Sequence, residues 1–241
     1  MKVLAIIPAR INSKGIPLKN IRKLQRRPLL EHSIIETKKS KNINRLIVST
    51  DSQKIANIAK SLDVETVIRP KKISSDRASN TDVIIHLLAQ LKKTESYVPD
   101  IIVLLQPTTP LRTKNEIDYS IRLLKQSHAT GVVSVIRVQT HPYSSFWYDG
   151  KYLKPFRKDF LRWGKRQSKP LLYYPSGSIY TFWHKTIKKY GTMYGPRAKP
   201  MIIPDEQPHI DIDNVFDFFM SEMILRYWKK YKMNFYSRTK N

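Results

Sequence analysis

Five short apolar runs, "KVLAII", "RLIVST", "VETVI", "DIIVLLQ" and "GVVSVIRV", are separated by four segments whose apolar residues recur every three or four positions. This alternation leaves few architectures open. A strand followed by a helix that packs back on the sheet gives a mostly parallel sheet covered on both faces, an α/β fold in three layers. The predicted helices span 28–39, 52–62, 80–93 and 114–126. Asp51 and Ser52 suit the cap of the second, and Asn80 or Thr81 that of the third. "DIIVLLQ" is the most apolar of the runs and reads as a central strand buried on both sides. Sheets of this kind bind ligands beyond the carboxyl ends of their strands. On that rim fall "PARINSKG" after the first run, Thr50–Asp51 after the second and "QPTTPLR" after the fourth.

The alternation stops near His141. From there to Tyr174 the chain is basic, aromatic and irregular, too aromatic for a disordered linker, and it reads as an inserted hairpin or subdomain. "GSIYTF" and "PMIIP" then resume strand character, and "NVFDFFMSEMILRYW" reads as a closing amphipathic helix. A length of 241 residues fits one domain with such an insertion. With no cysteine, disulfides and thiolate metal sites are excluded. The apolar start breaks at Pro8 and Arg10, short of a signal-peptide centre, and no run reaches the roughly 18 residues of a membrane span. The expectation is a soluble, cytoplasmic protein with no membrane partner.

Net charge is +25, from 44 Lys and Arg against 19 Asp and Glu. A surface of that sign attracts polyanions, whether nucleic acid or a phosphorylated small molecule. The cations are spread over the chain and form no known nucleic-acid module, which weighs against nucleic acid as partner. Those of the first loop are concentrated. Arg10, Lys14 and Lys19 follow the first strand within ten positions, with Ser13 and Asn20 as neutral polar neighbours. A loop presenting backbone N–H groups, several cations and the N-terminus of a following helix suits a polyphosphate. It is neither a P-loop nor a dinucleotide fingerprint, since Gly15 is its one glycine.

The loop "IPARINSKGIPLKN" resembles the signature of the acylneuraminate cytidylyltransferases, the CMP–nonulosonic acid synthetases. The resemblance continues in order through "IVSTD", "RP" with "SSDRAS", "LLQPTTPLR", "KRQSKP", "GSIY" and "IDIDNVFDF", nearly the whole chain. It implies a Rossmann-like nucleotidyltransferase fold and a Mg²⁺-dependent transfer of CMP from CTP to the anomeric hydroxyl of a nonulosonic acid, with release of pyrophosphate. In that reading Arg10, Asn12, Ser13, Lys14, Lys19 and Asn20 hold the nucleotide, and Arg69 and Ser79 meet its base and ribose. Lys19 neutralises charge on the leaving phosphates. Gln106, Thr108, Arg166 and Tyr180 bind the sugar, Arg166 through its carboxylate.

Asp211 and Asp213 are two residues apart, on one face of an extended segment. The resemblance makes them Mg²⁺ ligands; one could instead be a general base, and Asp213 could simply cap a helix starting at Asn214. Residues 138–175 occupy the position of the family's dimerisation subdomain, with Phe146, Trp147, Tyr148, Phe156, Phe160 and Trp163 as interface anchors of a homodimer. The chain departs from the family pattern at Ile11 and Asn12, at Ser144, and at Tyr174 and Ser176 before "GSIY". Those near the sugar leave sialic, legionaminic and pseudaminic acids open. A nucleic-acid-binding protein and an inactive dimeric scaffold are the competing readings. The basic, aromatic tail "RYWKKYKMNFYSRTKN" reads as a solvated helix end.

Overall fold

The computed structural model describes residues 1–75, 78–158 and 169–238, with side chains of the last helix described to Phe235. Strand Val3–Ala9 (β1) is followed by a long loop, a three-residue 3-10 turn at Lys19–Ile21, and a hairpin of Lys23–Leu24 (β2) and Arg27–Pro28 (β3). Leu29–Lys38 (α1), Arg45–Thr50 (β4), Gln53–Lys60 (α2), Glu65–Ile68 (β5), Asn80–Glu95 (α3), Ile101–Leu105 (β6), Lys114–Lys125 (α4) and Gly131–Arg137 (β7) then alternate as the hydrophobic period predicts. After them come a hairpin of Phe146–Tyr148 (β8) and Leu153–Pro155 (β9), the long strand Tyr173–Trp183 (β10), His184–Tyr190 (α5), Ala198–Ile202 (β11) and Val215–Arg238 (α6).

Seven strands form one sheet in the order β11-β7-β10-β6-β1-β4-β5. Six run parallel, and β10 is antiparallel to both β6 and β7. Alternation along the central strands divides the core in two. Val3, Ala5 and Ile7 with Val103 and Leu105 pack under α1, α2 and α4 through Leu30, Ile34, Ile55, Ile117 and Ile121. Leu4, Ile6, Ile102 and Leu104 face the other way, against Ile84, Leu87 and Leu91 of α3 and Ile187 of α5. The three-layer expectation is met.

Several details differ from the sequence expectation. The first loop does not run into a helix: the β2–β3 hairpin intervenes, with Gln25 and Arg26 both at positive φ in its tight turn. Ser79, not Asn80 or Thr81, caps α3, where Ser79 and Asp82 exchange side-chain-to-backbone hydrogen bonds. Asn214 Oδ1 accepts from the N–H of Asp217, and Asp217 Oδ2 accepts from those of Asp213 and Asn214. Asn214 therefore serves as the cap of α6, and the Asp213 carboxylate is left for other work. In the insertion, β8 and β9 pair as a separate two-stranded sheet with Trp147 and Tyr148 exposed. Arg166, Phe160 and Trp163 lie outside the described residues.

Candidate active site

A cleft of about 360 Å³ opens at the carboxyl ends of β1, β5 and β6. Arg10, Ser13, Lys14, Lys19, Asn20 and Arg69 line it together with Gln106, Thr108, Asp211 and Asp213. Residues drawn from four separate stretches of sequence therefore meet in one place. Asn12 is exposed and outside the lining.

The first loop is fixed at three points. Asp51, expected as a helix cap, instead accepts the Ile11 N–H at 2.9 Å from the end of β4. Asn20 Nδ2 donates to the Arg10 carbonyl at 2.8 Å and closes the loop on itself. Ile16 is buried in a small separate core with Leu24, Leu29 and Ile212. Leu18 adopts φ 56°, a left-handed conformation costly for a branched side chain, immediately before Lys19 turns inward. The Lys19 ammonium donates to the Ile212 carbonyl at 2.5 Å and lies 3.5 Å from Asp213 Oδ1. Cations and carboxylates are thus neighbours in the cleft.

Segment 210–213 is extended, so Ile212 points into the small core while Asp211 and Asp213 point into the cleft. The Ile212 N–H donates to the Thr108 carbonyl at 2.8 Å, which ties this segment to the rim of β6. Burial holds the Asp211 carboxyl above the usual carboxylate range; the Thr108 hydroxyl pulls the other way, Asp213 adds to the rise, and Lys19 and His209 oppose it. Asp211 Oδ1 is closed off from solvent with no hydrogen-bond partner. A half-buried carboxylate with an orphaned oxygen beside a second carboxylate fits a divalent cation. Among the described residues no cluster of three or more His, Cys, Asp or Glu side chains could hold a metal by itself. Mg²⁺ suits the pair, because it takes one or two carboxylates and completes its shell with water and substrate phosphate.

Two glycines are obligatory here. A Cβ on Gly15 would lie 2.0 Å from the Asp213 carbonyl oxygen, and one on Gly177 would lie 2.4 Å from Asp211 Oδ2. Gly177 also has φ 75° in a bulge of β10, where the pairing with β7 shifts register between Pro175 and Tyr180. Gly177→Ala is expected to cost about 1–2 kcal/mol from the backbone alone, with further loss as Asp211 is displaced. Urea unfolding measures the first effect; unchanged stability would contradict the close approach.

Four residues to which the sequence assigned no role hold this arrangement. Arg112 is buried; it donates to Thr109 Oγ1, to the Ser178 and Gln106 carbonyls and to Ser33 Oγ, joining the β6 turn, the bulge and α1. Burial pulls its pKa down to about 10, against the nearby Glu116, Glu36 and Asp211. His209, two residues before Asp211, bonds through Nε2 to the Ser176 carbonyl at 2.8 Å. Ser134 and Ser176 share a 2.6 Å hydrogen bond beneath the bulge. For Ser134 and Ser176 the available signal was a hydroxyl inside an otherwise apolar strand.

Two further expected site residues, Ser79 and Tyr180, also lie outside the lining. Ser79 spends its hydroxyl on Asp82 in the α3 cap and does not line the cleft, which Asn80 does instead. The N-terminus of α3, not of α1, consequently faces the cleft and supplies the helix dipole. Tyr180 is a core residue: it shares the face of Phe182, its ring meets Tyr194 edge-on at 6.1 Å, and burial first, then Tyr194 and Asp211, pushes its pKa up to about 12. It does not line the cleft. Arg69 is buried with Nε donating to Ser74 Oγ at 3.1 Å and Nη1 left without a partner. Burial lowers its pKa, opposed by Asp51 and reinforced by Arg10. Asn20 Oδ1 is likewise buried and unpartnered. A cleft that strands one donor and two acceptors is built for a ligand that supplies the partners.

A protein-family model described as Cytidylyltransferase matches residues 4–194. The chain is 30% identical over 228 residues to a CMP-N,N'-diacetyllegionaminic acid synthase of Legionella pneumophila, covering 93% of this chain and 97% of that one. It is 28% identical to an N-acylneuraminate cytidylyltransferase of Escherichia coli over all of this chain and 56% of that one. A solved CMP:2-keto-3-deoxy-manno-octonic acid synthetase complexed with CTP superposes with a TM-score of 0.70 at 13% identity, covering 93% of this chain and 98% of that one, a likeness of fold.

Proposed function

The chain belongs to the cytidylyltransferase family, and from that premise we propose that it transfers CMP from CTP to the anomeric hydroxyl of a nonulosonic, sialic-type acid. The observation that carries the reading is the convergence of Arg10, Lys14, Lys19 and Arg69 with Asp211 and Asp213 in one cleft. A triphosphate carries close to four negative charges, and four cations around it match that number. Arg69 offers its orphaned N–H to the cytosine carbonyl, and Asn20 its orphaned oxygen to a ribose hydroxyl. Lys19, already held at the carboxylate segment, meets the charge that develops as the bond to the leaving pyrophosphate breaks and the sugar oxygen bonds to the α-phosphorus. Asp211 and Asp213 would hold Mg²⁺, which supplies Lewis-acid polarisation of the phosphate and a lower pKa for the attacking hydroxyl.

Gln106 and Thr108, neutral groups at the end of β6, suit the hydroxyls and amides of the sugar, and Arg166 suits its carboxylate. The exposed Phe146, Trp147, Tyr148 and Phe156 favour a homodimer, since aromatic side chains anchor such interfaces. A nucleic-acid role finds less support. The cations of the first loop converge on a cleft shared with carboxylates, a poor platform for a polyanion backbone.

The test is pyrophosphate release with each of the four nucleoside triphosphates and sialic, legionaminic and pseudaminic acids, with and without Mg²⁺. Turnover with CTP and at least one of these acids, lost on chelation, is expected. Equal rates with ATP, or indifference to chelator, would overturn the reading.

A further inference from the structure

Arg112 is 4% exposed, and among the described residues it forms no ion pair. A guanidinium carries two N–H groups on each terminal nitrogen and one on Nε. Here all the terminal ones are matched. Nη1 donates to Thr109 Oγ1 at 2.9 Å and to the Ser178 carbonyl at 2.6 Å. Nη2 donates to Ser33 Oγ at 2.7 Å and to the Gln106 carbonyl at 3.2 Å. Nε is left without a partner. Burying a cation away from any paired carboxylate is costly, and what the cost secures here is geometry. One planar fork joins the turn after β6, the bulge of β10 and the face of α1.

Two of those pieces grip Asp211. Ser178 adjoins Gly177, where a Cβ would lie 2.4 Å from Asp211 Oδ2 and 3.2 Å from Gln106 Oε1, so the bulge has no slack against either side chain. On the other flank the Thr108 carbonyl, between Gln106 and Thr109, accepts the Ile212 N–H. Asp211 is held from two directions, and both lead back to one guanidinium. The cations of the cleft hang elsewhere: Arg10, Lys14 and Lys19 belong to the first loop, tied down through Asp51 and Asn20, and Arg69 follows β5. On the reading of this cleft as a cytidylyltransferase site, we propose that Arg112 is the positioning residue that sets the Asp211 carboxylate against Gln106, the metal side of the cleft against the sugar side, without touching either substrate. Groups that orient a metal ligand from behind carry about 10- to 100-fold in metal affinity or activity. Lysine is no substitute, because an ammonium offers three N–H groups from a single point and cannot reach four acceptors on three elements.

The experiment compares Arg112→Lys with the wild type in the full chain, with Mn²⁺ as the probe. Titration of Mn²⁺ into protein and CTP without sugar, followed by electron paramagnetic resonance, reads the metal side. CTP binding in the presence of chelator reads the first loop. Mn²⁺ affinity should fall about 10- to 100-fold and kcat should fall with it, while metal-free CTP affinity stays at the wild-type value. Urea unfolding records the stability loss separately. A folded Arg112→Lys chain with wild-type Mn²⁺ affinity would make Arg112 purely structural and overturn the proposal. An equal loss of metal-free CTP affinity would overturn it too, as general loosening. Should that variant not fold, Ser33→Ala removes one anchor of the fork, on α1 and outside the cleft lining. It should lower Mn²⁺ affinity in the same direction by less, and wild-type affinity there would overturn the proposal as well. A wild-type chain that holds no Mn²⁺ with CTP would bring down the cytidylyltransferase reading and this one with it; normal wild-type binding that survives in the variants brings down this one alone.

Discussion

Replacing Asp211 by asparagine should abolish most of the activity while making the protein more stable. The amide keeps the shape of the carboxyl and removes its charge, so pyrophosphate release should fall roughly 100- to 1,000-fold, the range for loss of one preorganised electrostatic group. The stability change follows from linkage. Burial, its largest cause, raises the folded-state pKa of Asp211 above the unfolded value. Stability from the bound proton is therefore full below the unfolded pKa and is lost as pH rises through the folded one. At neutral pH the ionised carboxylate is a destabilising group, and Asp211→Asn relieves it, with a rise in Tm of about 2–4 °C for each kcal/mol recovered. As pH is lowered toward the unfolded pKa the advantage should shrink. A variant that is both inactive and less stable would assign Asp211 to structure.

Lys19→Ala should be comparably severe in activity and opposite in stability. Its ammonium is buried, bonded to the Ile212 carbonyl and 3.5 Å from Asp213. Truncation removes the cation aimed at the leaving phosphates, again a loss of roughly 100- to 1,000-fold in kcat. It also strands the Ile212 carbonyl, which costs about 1–3 kcal/mol when no replacement donor reaches it. Lys19→Arg should restore little, because a planar fork does not substitute for a point charge in a space already shaped around one. Steady-state kinetics and urea unfolding separate the two effects. A variant impaired in KM alone would place Lys19 in ground-state binding.

The layered architecture was legible because each of its determinants is local. Apolar runs of strand length and helical periods alternate through residue 137, and the elements fall within a few residues of where those periods put them. The cleft's cations and carboxylates were legible through the resemblance and through their positions on the carboxyl rim. What escaped was decided by packing between distant segments. The cap of α3 depends on Asp82 three residues after Ser79, a spacing present in the chain but outweighed by the choice of Asn80 or Thr81. The resemblance at "GSIY" made Tyr180 a sugar contact, yet its ring lies on the Phe182 face, toward the core. Gly15 and Gly177 carry no signal in sequence for the backbone and carboxylate that crowd them. The roles of Arg112 and His209 emerge only once the bulge of β10 is built beside them.

The central claim is that one triphosphate lies between the first loop and the 210–213 segment. A crystal structure with CTP and Mg²⁺ tests it directly. The account predicts the α-phosphate within about 4 Å of the Lys19 ammonium, with the metal bound by Asp211 and Asp213. A triphosphate seated elsewhere, such as the groove of about 700 Å³ beside Lys185, Lys188 and Arg197, would contradict it.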